Sequence, residues 1–227
     1  MDAETRRARA FAWLVDYLLP LPMTVAMYLL WEARTGSAAF AAYTLALGLA
    51  FGYVVPGIGT NLLGLWRFTG PLRVGNSLLH HGFMYAPYLS LTLYVTWGDW
   101  GATGLVHAAT TVASAGLAQG LVSSLHDIAG IKAGSIEIFT DRALAGRSPE
   151  AVVLEYGPIG FGLFGAAYAA SCLCARPELV AGAGPGRFAL LVSGGVLLMG
   201  LTGLPYVWKE RRHIGAAGRT PRRPPAS

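Results

Sequence analysis

Apolar residues run along this chain in six stretches of membrane-spanning length, separated by short polar segments. The stretches lie at residues 11–31, 38–62, 77–97, 101–125, 152–174 and 188–208. A helix needs about 20 consecutive, mostly apolar residues to cross the hydrocarbon core of a bilayer. The pattern therefore predicts an all-α fold: an integral membrane bundle of about six transmembrane helices, forming one domain over residues 1–208.

Two segments outside these stretches have a different character. Residues 126–151 form the longest connection and carry Ile128, Ile131, Ile136, Ile138 and Phe139. That apolar content predicts a segment that lies in the membrane interface or partly re-enters the membrane. Residues 209–227 are basic and rich in proline and glycine, so we expect a disordered tail.

Basic residues are distributed very unequally between the two sides that six spans create. With a cytoplasmic amino terminus, 14 of the 17 Lys and Arg residues are cytoplasmic, and only Arg34, Arg176 and Arg187 are on the outer side. This positive-inside bias predicts that both termini are cytoplasmic. It also accounts for the net charge of +5, so we expect membrane lipids rather than nucleic acid as partners. Because arginine far outnumbers lysine, as in GC-rich bacteria, we expect a bacterial cytoplasmic membrane.

Composition supports a membrane bundle with close helix packing. Charged residues make up 13% of the chain, against about 25% in soluble domains. The chain has 30 glycines, and the pairs Gly48/Gly52 and Gly116/Gly120 have the four-residue spacing that lets helix backbones approach closely. Prolines fall inside or beside most of the spans, where they bend helices, and such bends suggest a cavity within the bundle. They are Pro20, Pro22, Pro56, Pro87, Pro158 and Pro205.

Polar residues within the spans collect near the cytoplasmic side. A charged side chain at the centre of a spanning helix costs about 2.5–3.5 kcal/mol on insertion scales, so each one calls for an explanation. We select six of them as candidate catalytic residues: Asp16, His80, His81, His126, Asp127 and Glu155. Six more are candidate substrate-binding residues: Trp13, Tyr17, Asn61, Asn76, Tyr85 and Tyr156.

Two interpretations of these residues remain open. In the first, they are ordinary interface residues at helix ends, and the aromatic residues form an interfacial belt or pack in the core. In the second, Asp16, His80 or His81, His126 and Glu155 converge on a pocket. A carboxyl group in an apolar stretch such as that around Asp16 can stay protonated and act as a general acid.

The second interpretation predicts a membrane enzyme that acts on a lipid or isoprenoid substrate. Asp16 or Glu155 would donate a proton to an alkene or epoxide, and a histidine would act as base or orient the acid. Aromatic side chains would stabilise the resulting carbocation. We therefore expect a reaction of the terpene cyclase or isomerase type. The alternatives are a small proton-coupled transporter and a non-catalytic assembly or scaffold subunit, for which the sequence names no protein partner.

Other kinds of chemistry have weaker support. The histidines lack the HxxxH and ExxH spacings of helical metal sites, and adjacent histidines on a helix point about 100° apart, so we expect neither a metal nor another cofactor. No phosphate-binding loop or nucleophile elbow occurs. Cys172 and Cys174 are two residues apart on a predicted helix, which does not favour a disulfide.

Overall fold

The structure is a computed structural model. It describes residues 3–98, 104–139 and 146–205, and most of these residues are in helices. Helices α1 to α8 are Ala3–Trp13, Pro20–Thr35, Ala38–Gly57, His81–Thr96, Gly104–Ala133, Pro149–Ala175, Pro177–Ala181 and Pro185–Thr202. Two π-helical turns, Leu14–Leu18 and Ile58–Leu62, follow α1 and α3. Strands β1 to β4 are Trp66–Phe68, Arg73–Val74, Ser77–Leu78 and Ile136–Ile138.

The predicted helical membrane protein is confirmed at a coarse level. Four helical segments among the described residues are long and apolar enough to span a membrane: Ala38–Leu62, Gly104–Ala133, Pro149–Ala175 and Pro185–Thr202. Thr5–Leu18 and Pro20–Thr35 meet at an angle of 54° and make a fifth span if they count together. Helix α4 has 16 residues, fewer than the roughly 20 that a straight span needs.

The structure departs from the expected elements in two places. Residues 77–97 begin with strand β3 rather than with a helix, and β3 pairs with β2 in an antiparallel hairpin. Residues 126–133, expected in an interfacial segment, continue helix α5, which ends at Ala133. Gly134 has a positive φ of 70°, the left-handed conformation that commonly ends a helix. The predicted tail, 209–227, lies outside the described residues.

The core consists of a main cluster that extends along the helices and a smaller cluster beside the strands. At one end, the buried Trp31 ring makes edge contacts with Phe40 and Trp97, at centroid distances of 5.6 Å and 5.5 Å. At the other end, Phe68, Leu78, Met84 and Ile136 form a second buried cluster. We call this second end the strand end, because strands β1 and β4 lie there.

Close backbone contacts hold the helices together between the two ends. A Cβ atom at Gly48 of α3 would lie 2.8 Å from the Cα of Ala86 in α4. At Gly120 of α5, a Cβ atom would lie 2.3 Å from the carbonyl oxygen of Pro158 in α6. Both distances are too short for any side chain, so these positions need glycine for the helices to pack at this distance.

Candidate functional site

Asp16 lies at the bend between α1 and α2 and is 2% exposed. The bend follows from Pro20, which has no N–H to donate back into the helix. The N–H of Leu19 donates to the carbonyl oxygen of Leu14 across 2.9 Å, as in a π-helix. The carbonyl oxygens of Val15 and Asp16 are therefore left without partners within their own helix.

Side chains from the beginning of α4 satisfy both carbonyl groups. The hydroxyl of Tyr88 donates to the carbonyl oxygen of Val15 across 2.8 Å. Nε2 of His80 lies 2.9 Å from the carbonyl oxygen of Asp16, to which its N–H donates. The ring of Tyr17 lies 4.6 Å from the ring of His80. His80 thus holds the backbone at Asp16, and its contact is not with the carboxyl group.

The carboxyl group of Asp16 begins a chain of three ionisable side chains. Its Oδ1 lies 2.7 Å from Nε2 of His126, and Nδ1 of His126 lies 3.3 Å from Oδ1 of Asp127. The Asp16 side chain is 3% exposed, whereas those of His126 and Asp127 are 21% and 23% exposed. The chain therefore runs from a fully buried carboxyl group to one that is partly accessible.

We call Asp16, His126 and Asp127 the proton chain, because hydrogen bonds join two carboxyl groups through one imidazole ring. An ionised carboxylate only accepts hydrogen bonds, and a neutral imidazole donates one and accepts one. Both contacts of His126 are satisfied when its ring is protonated, or when its ring is neutral and one carboxyl group carries the proton. The hydrogen bonds therefore allow one additional proton, which would be either on the His126 ring or on one of the two carboxyl groups.

Asp127 also lines a cavity of about 830 Å³ between α3, α6, α8 and strands β1 and β4. Sites for small molecules commonly enclose about 300–1,000 Å³. The lining is mostly apolar and includes seven aromatic residues among those described: Phe51, Trp66, Phe68, Tyr85, Tyr156, Phe161 and Phe164. The accessible end of the proton chain is thus part of the wall of an apolar, aromatic cavity.

Strands β1 and β4 close the cavity at the strand end. They pair antiparallel, with Trp66 opposite Ile138 and Arg67 opposite Glu137. Because side chains alternate along a strand, Trp66 and Ile138 line the cavity, while Arg67 and Glu137 form an ion pair between the same strands. The alternation of apolar and charged residues in Trp66–Phe68 and Ile136–Ile138 was the sequence signal for this wall, which the helical prediction missed.

The cavity is open on one side, between α3 and α8. Ser193 is exposed here, and the other exposed lining residues are apolar: Val54, Ile58, Leu62, Leu197, Leu201 and Leu204. Leu62 is 78% exposed and Leu197 is 64% exposed. Large exposed apolar side chains on a spanning helix are positions that contact lipid. The opening therefore lies on an apolar surface of the bundle, on the flank of two spanning helices.

His81 lies apart from the proton chain, although it follows His80 directly. It is 2% exposed, and its ring lies 4.6 Å from that of Phe68 and 5.1 Å from that of Tyr85. Neither ring nitrogen has a hydrogen-bond partner within the described ranges. Since Phe68 and Tyr85 both line the cavity, His81 lies behind its aromatic wall.

Glu155 is not brought to the proton chain either. It forms an ion pair with Arg147, its side chain is 32% exposed, and it is absent from the cavity lining. Its neighbour Tyr156 does line the cavity. Of the two proposed acids, Asp16 is therefore joined to the chain through His126, and Glu155 lies on a different face of α6.

The remaining candidate substrate-binding residues have varied surroundings. Oδ1 of Asn61 accepts a hydrogen bond of 2.6 Å from the backbone N–H of Asn76. Nδ2 of Asn76 donates to the carbonyl oxygen of Thr60 across 3.0 Å, so the two amides fasten the β2–β3 hairpin to the second π-helical turn. Trp13 is 59% exposed and Tyr17 packs on His80, so only Tyr85 and Tyr156 of the six line the cavity.

The described residues include no group of three or more His, Cys, Asp or Glu side chains placed to hold a metal ion. No protein-family model, curated protein or solved structure matches this chain. Any functional conclusion must therefore come from the chemistry of the cavity and of the proton chain.

Proposed function

We propose that this protein is a multi-pass membrane enzyme that acts on a lipid or isoprenoid substrate by general acid/base chemistry, as an isomerase or cyclase. One observation supports this most strongly: Asp127 is among the residues that line an apolar cavity, and its carboxyl group is hydrogen-bonded through His126 to the buried Asp16. Asp127 is the group that would touch the substrate. His126 and Asp16 are positioning residues that hold the Asp127 carboxyl group in place through hydrogen bonds.

The proposed isomerisation consumes nothing. The Asp127 carboxyl group donates its proton to one carbon of a substrate alkene, and the π electrons form the new C–H bond. The adjacent carbon becomes a cation. A neighbouring C–H bond then breaks, its electrons form a double bond at a new position, and its proton returns to the carboxylate. In a cyclisation, a second alkene of the same molecule attacks the cation before that proton is lost.

The aromatic lining suits a cationic intermediate. The faces of Trp, Tyr and Phe rings carry partial negative charge and attract cations, most strongly where water is excluded. Trp66, Tyr85 and Tyr156 line the same cavity as Asp127. Because few other polar groups line the cavity, water would rarely be present to capture the cation and divert the reaction to an alcohol.

We further propose six spans in a bacterial cytoplasmic membrane, with both termini in the cytoplasm. Arg9, Arg67 and Arg147 contact Ala133, Glu137 and Glu155, which are all near the strand end. Arg34 contacts the carbonyl oxygens of Tyr94 and Trp97 at the opposite end. Since basic residues are enriched on the cytoplasmic side, the strand end and its proton chain would face the cytoplasm.

Asp127→Asn tests the proposed reaction, because it keeps the shape of the side chain and removes the acid. The matched control, Glu178→Gln, makes the same chemical change on helix α7, away from the cavity. Each variant is introduced into a strain of the source organism lacking the gene, and the neutral lipids are compared by mass spectrometry. We expect the wild type and Glu178→Gln to restore a lipid product that differs from its precursor by isomerisation. Asp127→Asn should form it about 10²–10⁴-fold more slowly.

The result counts only if Asp127→Asn inserts and unfolds at the temperature of the wild-type protein. Full product formation by that variant would contradict the proposal. Two other outcomes would support the rival functions instead. A change in proton-coupled uptake without any new lipid would indicate a transporter, and loss of a co-purifying protein would indicate an assembly subunit.

A further inference from the structure

The charges around the cavity restrict the ligands that it can accept. Among its described lining residues, Asp127 is the only acidic side chain, and Lys, Arg and His are absent. Arg67 lies on the β1–β4 pair, but its side chain forms an ion pair with Glu137, and neither residue lines the cavity. The charge that the described lining residues offer to a ligand is therefore zero or negative.

An anionic ligand would be unfavourable in such a cavity for two reasons. A charged group that leaves water for apolar surroundings loses its hydration and needs a partner of opposite charge, which the described lining does not offer. A phosphate or carboxylate would also be repelled by the ionised form of Asp127. Prenyl diphosphates, fatty acids and anionic phospholipids are each disfavoured by both effects.

The geometry points to an uncharged, flexible isoprenoid as the ligand, with an alkene or hydroxyl group placed at Asp127. This inference rests on the proposed function and narrows its substrate from lipids in general to neutral isoprenoids. The described lining offers such a molecule aromatic and aliphatic contact, with a hydrogen-bonding and proton-donating group at Asp127.

The opening agrees with a ligand that arrives from the membrane. Ile58 and Leu62 on the α3 side, and Leu197, Leu201 and Leu204 on or next to α8, line the cavity and are exposed on the flank of the bundle. A neutral hydrocarbon dissolved in the bilayer would pass between the two helices without meeting a charged side chain. The β1–β4 pair closes the cavity at the strand end, and the ion pair of Arg67 and Glu137 lies outside the lining.

Retinol and retinoate are suitable probes, because they share one polyene skeleton and differ in charge. The full-length protein is reconstituted in nanodiscs of zwitterionic lipid, and each probe is titrated while energy transfer from tryptophan to the polyene is recorded. Trp66 lines the cavity and is one of six tryptophans, so Trp66→Phe should reduce the saturable signal without abolishing it. We expect saturable binding of retinol and at least tenfold weaker binding of retinoate, after both are corrected for partitioning into empty nanodiscs.

Two pairs of variants assign the selectivity to this cavity. Asp127→Asn should reduce the preference for retinol by improving the binding of retinoate, whereas Glu178→Gln should leave the preference unchanged. Gly160 lines the cavity, and a Cβ atom at this position would have no other atom within 4 Å. Gly160→Phe should therefore fill the cavity and weaken retinol binding at least tenfold. Gly194 has equally open surroundings but is absent from the lining, so Gly194→Phe should bind retinol normally.

The outcomes separate this inference from the proposed reaction. Equal or tighter binding of retinoate, or no saturable binding of either probe, would overturn the inference. If the inference about the ligand were overturned in this way but Asp127→Asn abolished a lipid product, the enzyme proposal would stand and only the narrower ligand class would be refuted. Selective retinol binding combined with an unchanged lipid profile in every variant would instead refute the reaction and leave the ligand class supported.

Discussion

Two backbone carbonyl groups explain why Asp16 can be held in an apolar helix at a defined position. Pro20 removes the N–H that would have satisfied the carbonyl group of Asp16, and the π-helical turn leaves that of Val15 without a partner. His80 and Tyr88 supply the two missing donors. The bend is therefore stabilised from α4, and the Asp16 carboxyl group is directed toward His126.

Tyr88→Phe tests this explanation. It removes one hydroxyl and leaves the Val15 carbonyl group unsatisfied, which should lower stability by about 1–3 kcal/mol. The measurement is thermal unfolding in detergent. The control is Tyr28→Phe on α2, because the Tyr28 hydroxyl has no hydrogen bond within the described ranges, and it should change stability by less than about 0.5 kcal/mol. Equal melting temperatures for the two variants would show that the bend does not depend on Tyr88.

Glycine decides how closely the helical elements approach. Helix α5 lies against α6 with Gly116 and Gly120 facing Gly162 and Pro158. This contact brings the start of α6, with Tyr156, beside the end of α5, with His126 and Asp127. The position of the proton chain relative to the cavity therefore depends on a helix contact that has almost no side chain in it.

Gly120→Ala should separate α5 from α6. The new methyl group would lie 2.3 Å from the carbonyl oxygen of Pro158, and relieving that overlap should cost about 1–3 kcal/mol. Gly160→Ala is the control within the same helix pair. Its methyl group meets no atom within 4 Å, and alanine is favoured over glycine in a helix by about 0.5–1 kcal/mol. Thermal unfolding of both variants should therefore shift in opposite directions, and destabilisation of both would contradict a specific contact at Gly120.

The two ends of the whole molecule differ both in their charged residues and in their structure. Arginines contact the strand end through Arg9, Arg67 and Arg147, whereas the opposite end has Arg34 and an aromatic cluster around Trp31. The proton chain is at the basic end. The proposed orientation thus determines which compartment the chemistry faces.

Cysteine labelling in intact cells tests that orientation. Cys174→Ser first removes the exposed native thiol. In that background, Gly184→Cys places a new thiol just before α8, and Val74→Cys places a new thiol in the β2–β3 hairpin. A membrane-impermeant maleimide should label Cys at 184 in intact cells and Cys at 74 only after permeabilisation. The reverse pattern would place the strand end outside and contradict cytoplasmic termini.

Much of the architecture follows from local sequence. The stretch 38–62 corresponds to one helical span, Ala38–Leu62, because continuous apolar length alone is enough to specify a membrane helix. The bend at Pro20 likewise follows from the missing N–H of proline. Charge predicted that Asp16, His80, His81, His126 and Glu155 share one end of the bundle. In the structure His80 contacts the backbone of Asp16 and His126 contacts its carboxyl group, whereas Glu155 pairs with Arg147.

The tertiary structure alone decided which acid meets the cavity. Asp127 lines it and Glu155 pairs with Arg147, yet both lie in helices that are apolar on all sides, so no hydrophobic stripe shows which face turns inward. The β1–β4 wall joins residues 66–68 to 136–138, a pairing that depends on how α4 and α5 pack between them. Local composition specifies a helix and its depth in the membrane, whereas its rotation and its distant partners are set by packing against the other elements.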